Sequence, residues 1–236
     1  MAKGKPWIAG GLLALIAAPI LFYGSKMFQE KREPLSQRQI ATRVMAEYLK
    51  QKIAPKKVLI LSNPYTQRKG GSGGISSFQE AGEKGLQEGF GKNVQLKAVY
   101  PRLRAEALQG AYSELVDPQS ATPLSFLTAT ESWVELYQAN PGYDLAVSLI
   151  GVPLTYRELR KNPLFEKTPL ALLLPDWRMI GQNADIRSEF ASGRIAAAVI
   201  NRPGANLETP PSSDYKKEFE RLYLLVTPEN AAQIFK

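Results

Sequence analysis

Val58-Leu-Ile-Leu-Ser-Asn-Pro64 sets the pattern of this chain: a short apolar run that ends in proline. Residues 94–100 run to Pro101, 145–152 to Pro153, 170–174 to Pro175, 195–201 to Pro203 and 222–227 to Pro228. Proline has no backbone N–H to offer a sheet ladder, so each of these marks the end of a strand. Helix-forming stretches lie between most of the runs, and such alternation is the sign of a parallel α/β sheet. The run 145–150 is apolar throughout, as suits a strand covered on both faces.

Parallel crossovers are right-handed, so the expected α/β fold is a doubly wound, mostly parallel, Rossmann-like sheet of about six strands over residues 56–236. Its helices are expected at 77–90, 102–109, 124–137, 156–161, 184–191 and 229–235, with a charged turn or short helix at 214–221. Ser77 and Glu80 read as a capping box for the first of them. Gly82, Gly85 and Gly89 fall on nearly one side of that helix, which predicts close approach of a neighbouring backbone. Gly193 reads as a helix C-cap.

The 236 residues leave room for one membrane segment and one domain of good size. A formal charge of +8 suits lipid headgroups or an acidic partner, but no run of five basic residues occurs and nucleic acid is not expected. The chain has neither cysteine nor histidine, which excludes disulfides, thiolate nucleophiles, histidine triads and the usual zinc sites. No metal and no cofactor is implied.

Residues 7–23 read WIAGGLLALIAAPILFY, without a charge and bracketed by Trp7 and Tyr23. As a helix they would span roughly 25 Å, close to the thickness of a hydrocarbon core. The segment Phe22-Tyr23-Gly24 makes a poor cleavage site, so an uncleaved single-pass anchor is expected at 7–24. It follows a short head, 1–6, and leads into a juxtamembrane linker and amphipathic helix, 25–55. The expected partners are membrane lipid along 7–23 and subunits of a membrane complex. The expected place is a bacterial inner membrane with the domain in the periplasm, although the bases after the segment argue for the opposite orientation.

The helix expected at 35–53 has Ser36 as N-cap and Gln39 three residues on. Ile40, Ala41, Val44, Met45, Tyr48 and Leu49 form one apolar stripe at helical spacing. The stripe packs on its own domain or docks on a partner; in the second case Ile40, Val44 and Tyr48, with Trp177, are the interface candidates.

Ligands of such sheets bind beyond the carboxyl ends of the strands. There the segment 65–77, YTQRKGGSGGISS, offers Gly70, Gly71, Gly73 and Gly74 as a cradle for an anion. It matches neither a Walker loop nor GxGxxG. Arg102, Arg178 and Arg202 each follow a strand end and, with Arg68 and Lys69, suit a carboxylate or phosphate. Asp176 and Glu229 end strands and are the candidate carboxylate pair. Ser148 and Ser192 lack a histidine base.

The stretch Phe190-Ala-Ser-Gly-Arg-Ile-Ala-Ala-Ala-Val-Ile200, with Arg202-Pro203 after it, resembles a helix–Gly–strand–Pro turn of type I periplasmic solute-binding proteins. Residues 58–62, with the helix ending Gly89-Phe90-Gly91, resemble their opening unit. The resemblance implies a solute-binding ancestry, but that family closes two lobes on its ligand and residues 57–236 amount to about one. Together these readings predict a non-catalytic accessory subunit docked on a membrane complex. The alternative is a tethered binding or sensor domain for a small anion, with an enzyme third.

Overall fold

The computed structural model describes residues 37–236, apart from 68–72, 111, 121, 206–207 and 209. Helix α1 (Gln37–Lys52) precedes a sheet made of β1 (Lys57–Leu61), β2 (Gln95–Val99), β3 (Leu145–Ser148), β4 (Leu170–Leu173), β5 (Ile195–Asn201) and β6 (Tyr223–Val226). The strand order is β2-β1-β3-β4-β5-β6. Each strand lies within a residue or two of the proline-ended run that marks it. Strands β1 to β5 are mutually parallel, and β6 runs antiparallel to β5.

Helix α2 (Gly73–Phe90) joins β1 to β2. The chain then crosses back past β1 to β3 through α3 (Ala105–Leu108), α4 (Tyr112–Leu115), α5 (Leu124–Leu127) and α6 (Thr130–Ala139). Helices α7 (Tyr156–Leu159) and α8 (Pro163–Glu166) lead to β4, and α9 (Asn183–Ala191) to β5. Helix α10 (Tyr215–Leu222) leads to β6, and α11 (Ala231–Ile234) follows it. Right-handed crossovers that reverse direction after β2 put α2 on one face and α6 to α9 on the other.

On the second face Leu59, Leu61, Ala146, Leu172 and Ala198 meet Trp133, Tyr137, Phe165, Ile186 and Phe190 in one core. Burial of each large side chain stabilises by roughly 1.5–3 kcal/mol. One charge sits beneath this layer. Glu189 is fully buried and accepts from Arg160 Nη1 at 2.6 Å, Tyr156 Oη at 3.0 Å and Arg194 Nε at 3.0 Å. Burial, and then the neighbouring carboxylate, holds the Tyr156 hydroxyl in its protonated form far above its ordinary range.

On the first face α1 packs along α2 and also meets β5 and α10. The glycines of α2 make this possible. A Cβ at Gly85 would overlap Thr42 Oγ1 and Gln39 O, and one at Gly89 would stand 2.5 Å from Arg43 O. Ala41, Met45, Ala46 and Leu49 are thereby buried. The stripe of α1 is packed within its own domain.

The fold expected from sequence needs correcting. Among the described residues no helix is long and apolar enough to cross a membrane, and residues 7–24 lie outside them. The longest described helix, α2, carries Glu80, Glu83, Lys84 and Glu88 within its 18 residues. Among the described residues the fold is a mixed six-stranded α/β sheet, and no transmembrane helix belongs to it. β6 is antiparallel because α10 runs into it without a loop. Tyr223 therefore enters the sheet opposite Asn201, at the edge where β5 ends. Helix α2 starts before the expected cap, and Ser77 Oγ donates back to Gly74 O at 3.1 Å. The helix expected at 124–137 is two, α5 and α6, parted at Thr128 and Ala129.

Gly85→Ala is expected to lower unfolding free energy by about 3 kcal/mol, since backbone must move to admit the methyl group. Gly74→Ala, with nothing within 4 Å, should be neutral or stabilise by up to about 1 kcal/mol. Urea unfolding of both variants measures the difference.

Candidate functional site

The break between α5 and α6 creates a cleft. Past Pro101 the chain stays extended, and Leu103 pairs antiparallel with Thr128. Arg104 N donates to Leu127 O, and Ala129 N to Arg102 O, both at 2.8 Å. Side chains alternate along an extended segment. Leu103 turns inward onto Ala107 and Leu127, while Arg102 is exposed and Arg104 half-buried. The loop after β3 supplies the third wall: Leu154 N donates to Ser125 O at 3.3 Å, and Thr155 Oγ1 to Thr130 Oγ1 at 2.8 Å.

The result is an open cleft of about 620 Å³ at the carboxyl edge of the sheet. Its walls include Arg102, Arg104, Glu106, Leu108, Glu131, Leu154 and the hydroxyl residues Ser125, Thr128, Thr130 and Thr155. Two of the hydroxyls are engaged inward: Ser125 Oγ donates to Thr122 Oγ1, and Thr128 Oγ1 donates to Leu124 O. Thr128 Oγ1 also accepts from the buried Trp133 Nε1 at 3.2 Å.

Two contacts hold the walls in place. Gly151, at φ +80°, lets the β3 loop lie flat, because a Cβ there would stand 2.9 Å from Ser125 Oγ and from Thr122. The other is a clasp around Asp176. Its carboxylate accepts from Arg178 Nη2 at 2.6 Å, Arg178 Nε at 2.9 Å and Ser120 Oγ at 2.9 Å. Arg178 Nη1 reaches on to Asp117 Oδ2 at 2.6 Å. The end of β4 is thus tied to residues 117–120, which lead into the wall. The Arg178 hydrogen bonds hold the Asp176 carboxyl below the usual range against the opposing effect of burial. For Asp117 the Gln119 backbone N–H contributes most, and Arg178 next.

The residues expected to form a site are dispersed by the strand order. Arg102 follows β2, Arg178 β4 and Arg202 β5, so Arg178 and Arg202 stand roughly 14 and 19 Å from the β2 position along the sheet. Three such arginines do not converge on one anion. Arg178 is held by two aspartates, and Arg202 Nε is buried without a hydrogen-bond partner among the described residues. Arg102 alone lines the cleft, donating to Glu135 at 3.2 and 3.3 Å. Gly73 and Gly74 open α2, whereas Gly70, Gly71, Trp7 and Tyr23 lie outside the described residues.

Trp177 is half-buried, edge-on to Phe235 at 4.8 Å and tilted to Phe190 at 6.2 Å. Ile40 is 3% exposed, Val44 is half-buried, and Tyr48 Oη donates to Glu229 at 3.0 Å. The antiparallel course of β6 carries Glu229 away from the edge that holds Asp176, so these carboxylates are no pair. Ser148 is fully buried and donates to Gly151 O.

At the switch point between β1 and β3, where ligands of doubly wound sheets commonly lie, the chain supplies its own cation. Arg38 Nη2 donates to Leu149 O at 2.8 Å, and its guanidinium lies 4.2 Å from the Phe78 ring centroid. Burial lowers the Arg38 pKa to about 10, leaving it charged at neutral pH. The cleft lies to the side, over the loops after β2 and β3. Sequence reasoning named only Arg102 among its lining residues. Thr128-Ala-Thr-Glu131 has the spacing of a capping box, but α6 is capped at Ala129 and Thr128 Oγ1 donates to Leu124 O, so this spacing is no working signal for the break.

No family model matches the sequence. No curated protein matches it. Solved structures do show a likeness. A periplasmic solute-binding protein of an ABC transporter from Actinobacillus succinogenes 130z, with bound D-allose, is 11% identical at a TM-score of 0.45, over 83% of this chain and 60% of that one. A carbohydrate transporter from Acidothermus cellulolyticus 11B, in complex with myo-inositol, is 12% identical at 0.42, over 84% and 59%. A putative LacI transcriptional regulator from Bacteroides fragilis is 10% identical at 0.46, over 84% and 61%. The chain thus spans about three-fifths of the length of each. The likeness is partial, in the same direction as the resemblance seen in the sequence.

Both carboxylates of the clasp titrate below their ordinary values, so its stabilisation is complete above about pH 4 and is lost as pH falls through the folded-state values. The difference in urea midpoint between the parent and Arg178→Ala should therefore be constant above about pH 4 and close at lower pH. A difference that persists undiminished at about pH 2 would dissociate the clasp from these two aspartates.

Proposed function

We propose that the domain is a non-catalytic binding module that holds a small polar molecule in the cleft between residues 102–108, 125–131 and 154–155. The cleft itself carries this reading. Its volume of about 620 Å³ falls in the range of small-molecule sites, and its walls are joined to one another by hydrogen bonds before any ligand arrives. Pre-formed walls reduce the ordering cost of binding.

The side chains that would carry catalysis are engaged elsewhere. Asp176 is locked in its clasp, Ser148 is buried, and Ser192 Oγ donates to Glu189 O. Among the described residues no histidine, cysteine or acidic group of three is placed to hold a metal. An accessory subunit docked on a larger assembly is the other reading. The residues named for its interface are largely occupied within the domain, which favours the cleft.

The test is a mixed panel of sugars, amino acids and organic acids, followed by amide chemical shifts of the 15N-labelled protein. At least one class is expected to move resonances of residues 102–108 and 125–131. Ala105→Trp, which places a large ring at an exposed wall position, should abolish those shifts while leaving the unfolding temperature within a few degrees. A panel that leaves the cleft resonances unmoved would remove the proposal.

A further inference from the structure

The unpaired charge in the cleft is opposite in sign to that of the chain as a whole. The protein carries +8, and the arginines of the cleft first suggest an anion. Each of these arginines already faces a carboxylate. Arg102 holds Glu135 with both terminal nitrogens, and Arg104 stands 3.6 Å from Glu106 while donating to Phe126 O at 3.4 Å. Glu131, in the first turn of α6, has no ion pair or hydrogen bond among the described residues. The lining itself holds two arginines and two glutamates, and because Glu135, outside the lining, neutralises Arg102, the carboxylate of Glu131 is left over.

The hydroxyls point the same way. Ser125 and Thr128 donate their protons inward. Thr155 Oγ1 donates to Thr130 Oγ1, so Thr155 keeps its lone pairs for a ligand and Thr130, next to Glu131 in the chain, keeps its proton. The rim of the cleft carries two exposed apolar side chains, Leu108 at 51% and Leu154 at 42%.

Building on the binding reading above, we propose that the cleft selects an organic cation, a protonated primary amine on a short apolar body. The ammonium donates to Glu131 and to the Thr155 oxygen, and the apolar body lies on Leu108 and Leu154. An ammonium has three donors and no acceptor, which matches the carboxylate of Glu131 and the lone pairs of Thr155.

Three probes of one length separate charge from bulk: pentylammonium, 1-pentanol and pentanoate, titrated into the 15N-labelled protein at about pH 7, where the amine is charged and the acid ionised. Pentylammonium is expected to shift the amides of residues 129–131 and 154–155 with an affinity about fivefold above the other two, the scale of a partly exposed ion pair. Glu131→Gln should bring it down to the level of pentanol, and Leu154→Ser should weaken pentylammonium and pentanol alike. Tighter binding of pentanoate, or an unchanged preference in Glu131→Gln, would overturn the inference while leaving a binding cleft in place. If no probe moves the cleft resonances, the inference falls, and the mixed panel then decides whether the cleft binds anything.

Discussion

The close approach of α1 to α2 is the constraint on which the rest of this domain depends. Helix α1 comes before the first strand, where a doubly wound sheet has no crossover to place it. It is held instead by the glycine face of α2, where Gly85 and Gly89 bring backbone to backbone. From there α1 reaches β5 and α10, so it spans the sheet's first face. Its first turn sends Arg38 to the carbonyl of Leu149, at the place a doubly wound sheet usually reserves for a ligand. The open volume lies over the loops after β2 and β3. One helix-packing contact thus explains a covered face, an occupied switch point and the displacement of the cleft.

The strands were legible because proline leaves a local mark and because β3 and β4, buried along their whole length, read as unbroken apolar runs. The glycines of α2 were legible for a similar reason: a cost repeated at helical spacing calls for a compensating contact. Strand order was not legible, since no residue records which neighbour a strand will take, and the three arginines that looked like one rim are set apart by it. The reversal of β6 was hidden too. It follows from how directly α10 meets the strand, and no composition of residues 202–222 announces that. The cleft stayed hidden because Thr128 and Ala129 sit in a stretch with helical periodicity on either side, and the break is imposed by pairing with residues 102–104.

Charge shows the same division between what composition reports and what geometry decides. The excess of base is spread along the chain, yet Arg178, Arg160 and Arg194 each hold a carboxylate that burial would otherwise make costly. The tripeptide Asp176-Trp177-Arg178, distinctive in the sequence, works as a fastener. Its aspartate and arginine tie the end of β4 to residues 117–120, and its tryptophan closes the core against Phe190 and Phe235. The strength of the cleft walls therefore depends on residues that do not line it.

Helix α1 also sets a timetable. Glu47 is bound by Tyr215, 168 residues later, and Tyr48 by Glu229, 181 residues later. A chain made at about 5–20 residues per second offers α1 its α2 partner within seconds but withholds Tyr215 for roughly 8–34 s. The α1–α2 pair can therefore assemble early around its glycines, while the outer side of α1 waits for the last part of the chain. Native contacts of such long range make folding slow. The last contacts to become available are those of the C-terminal elements with the first of the described helices.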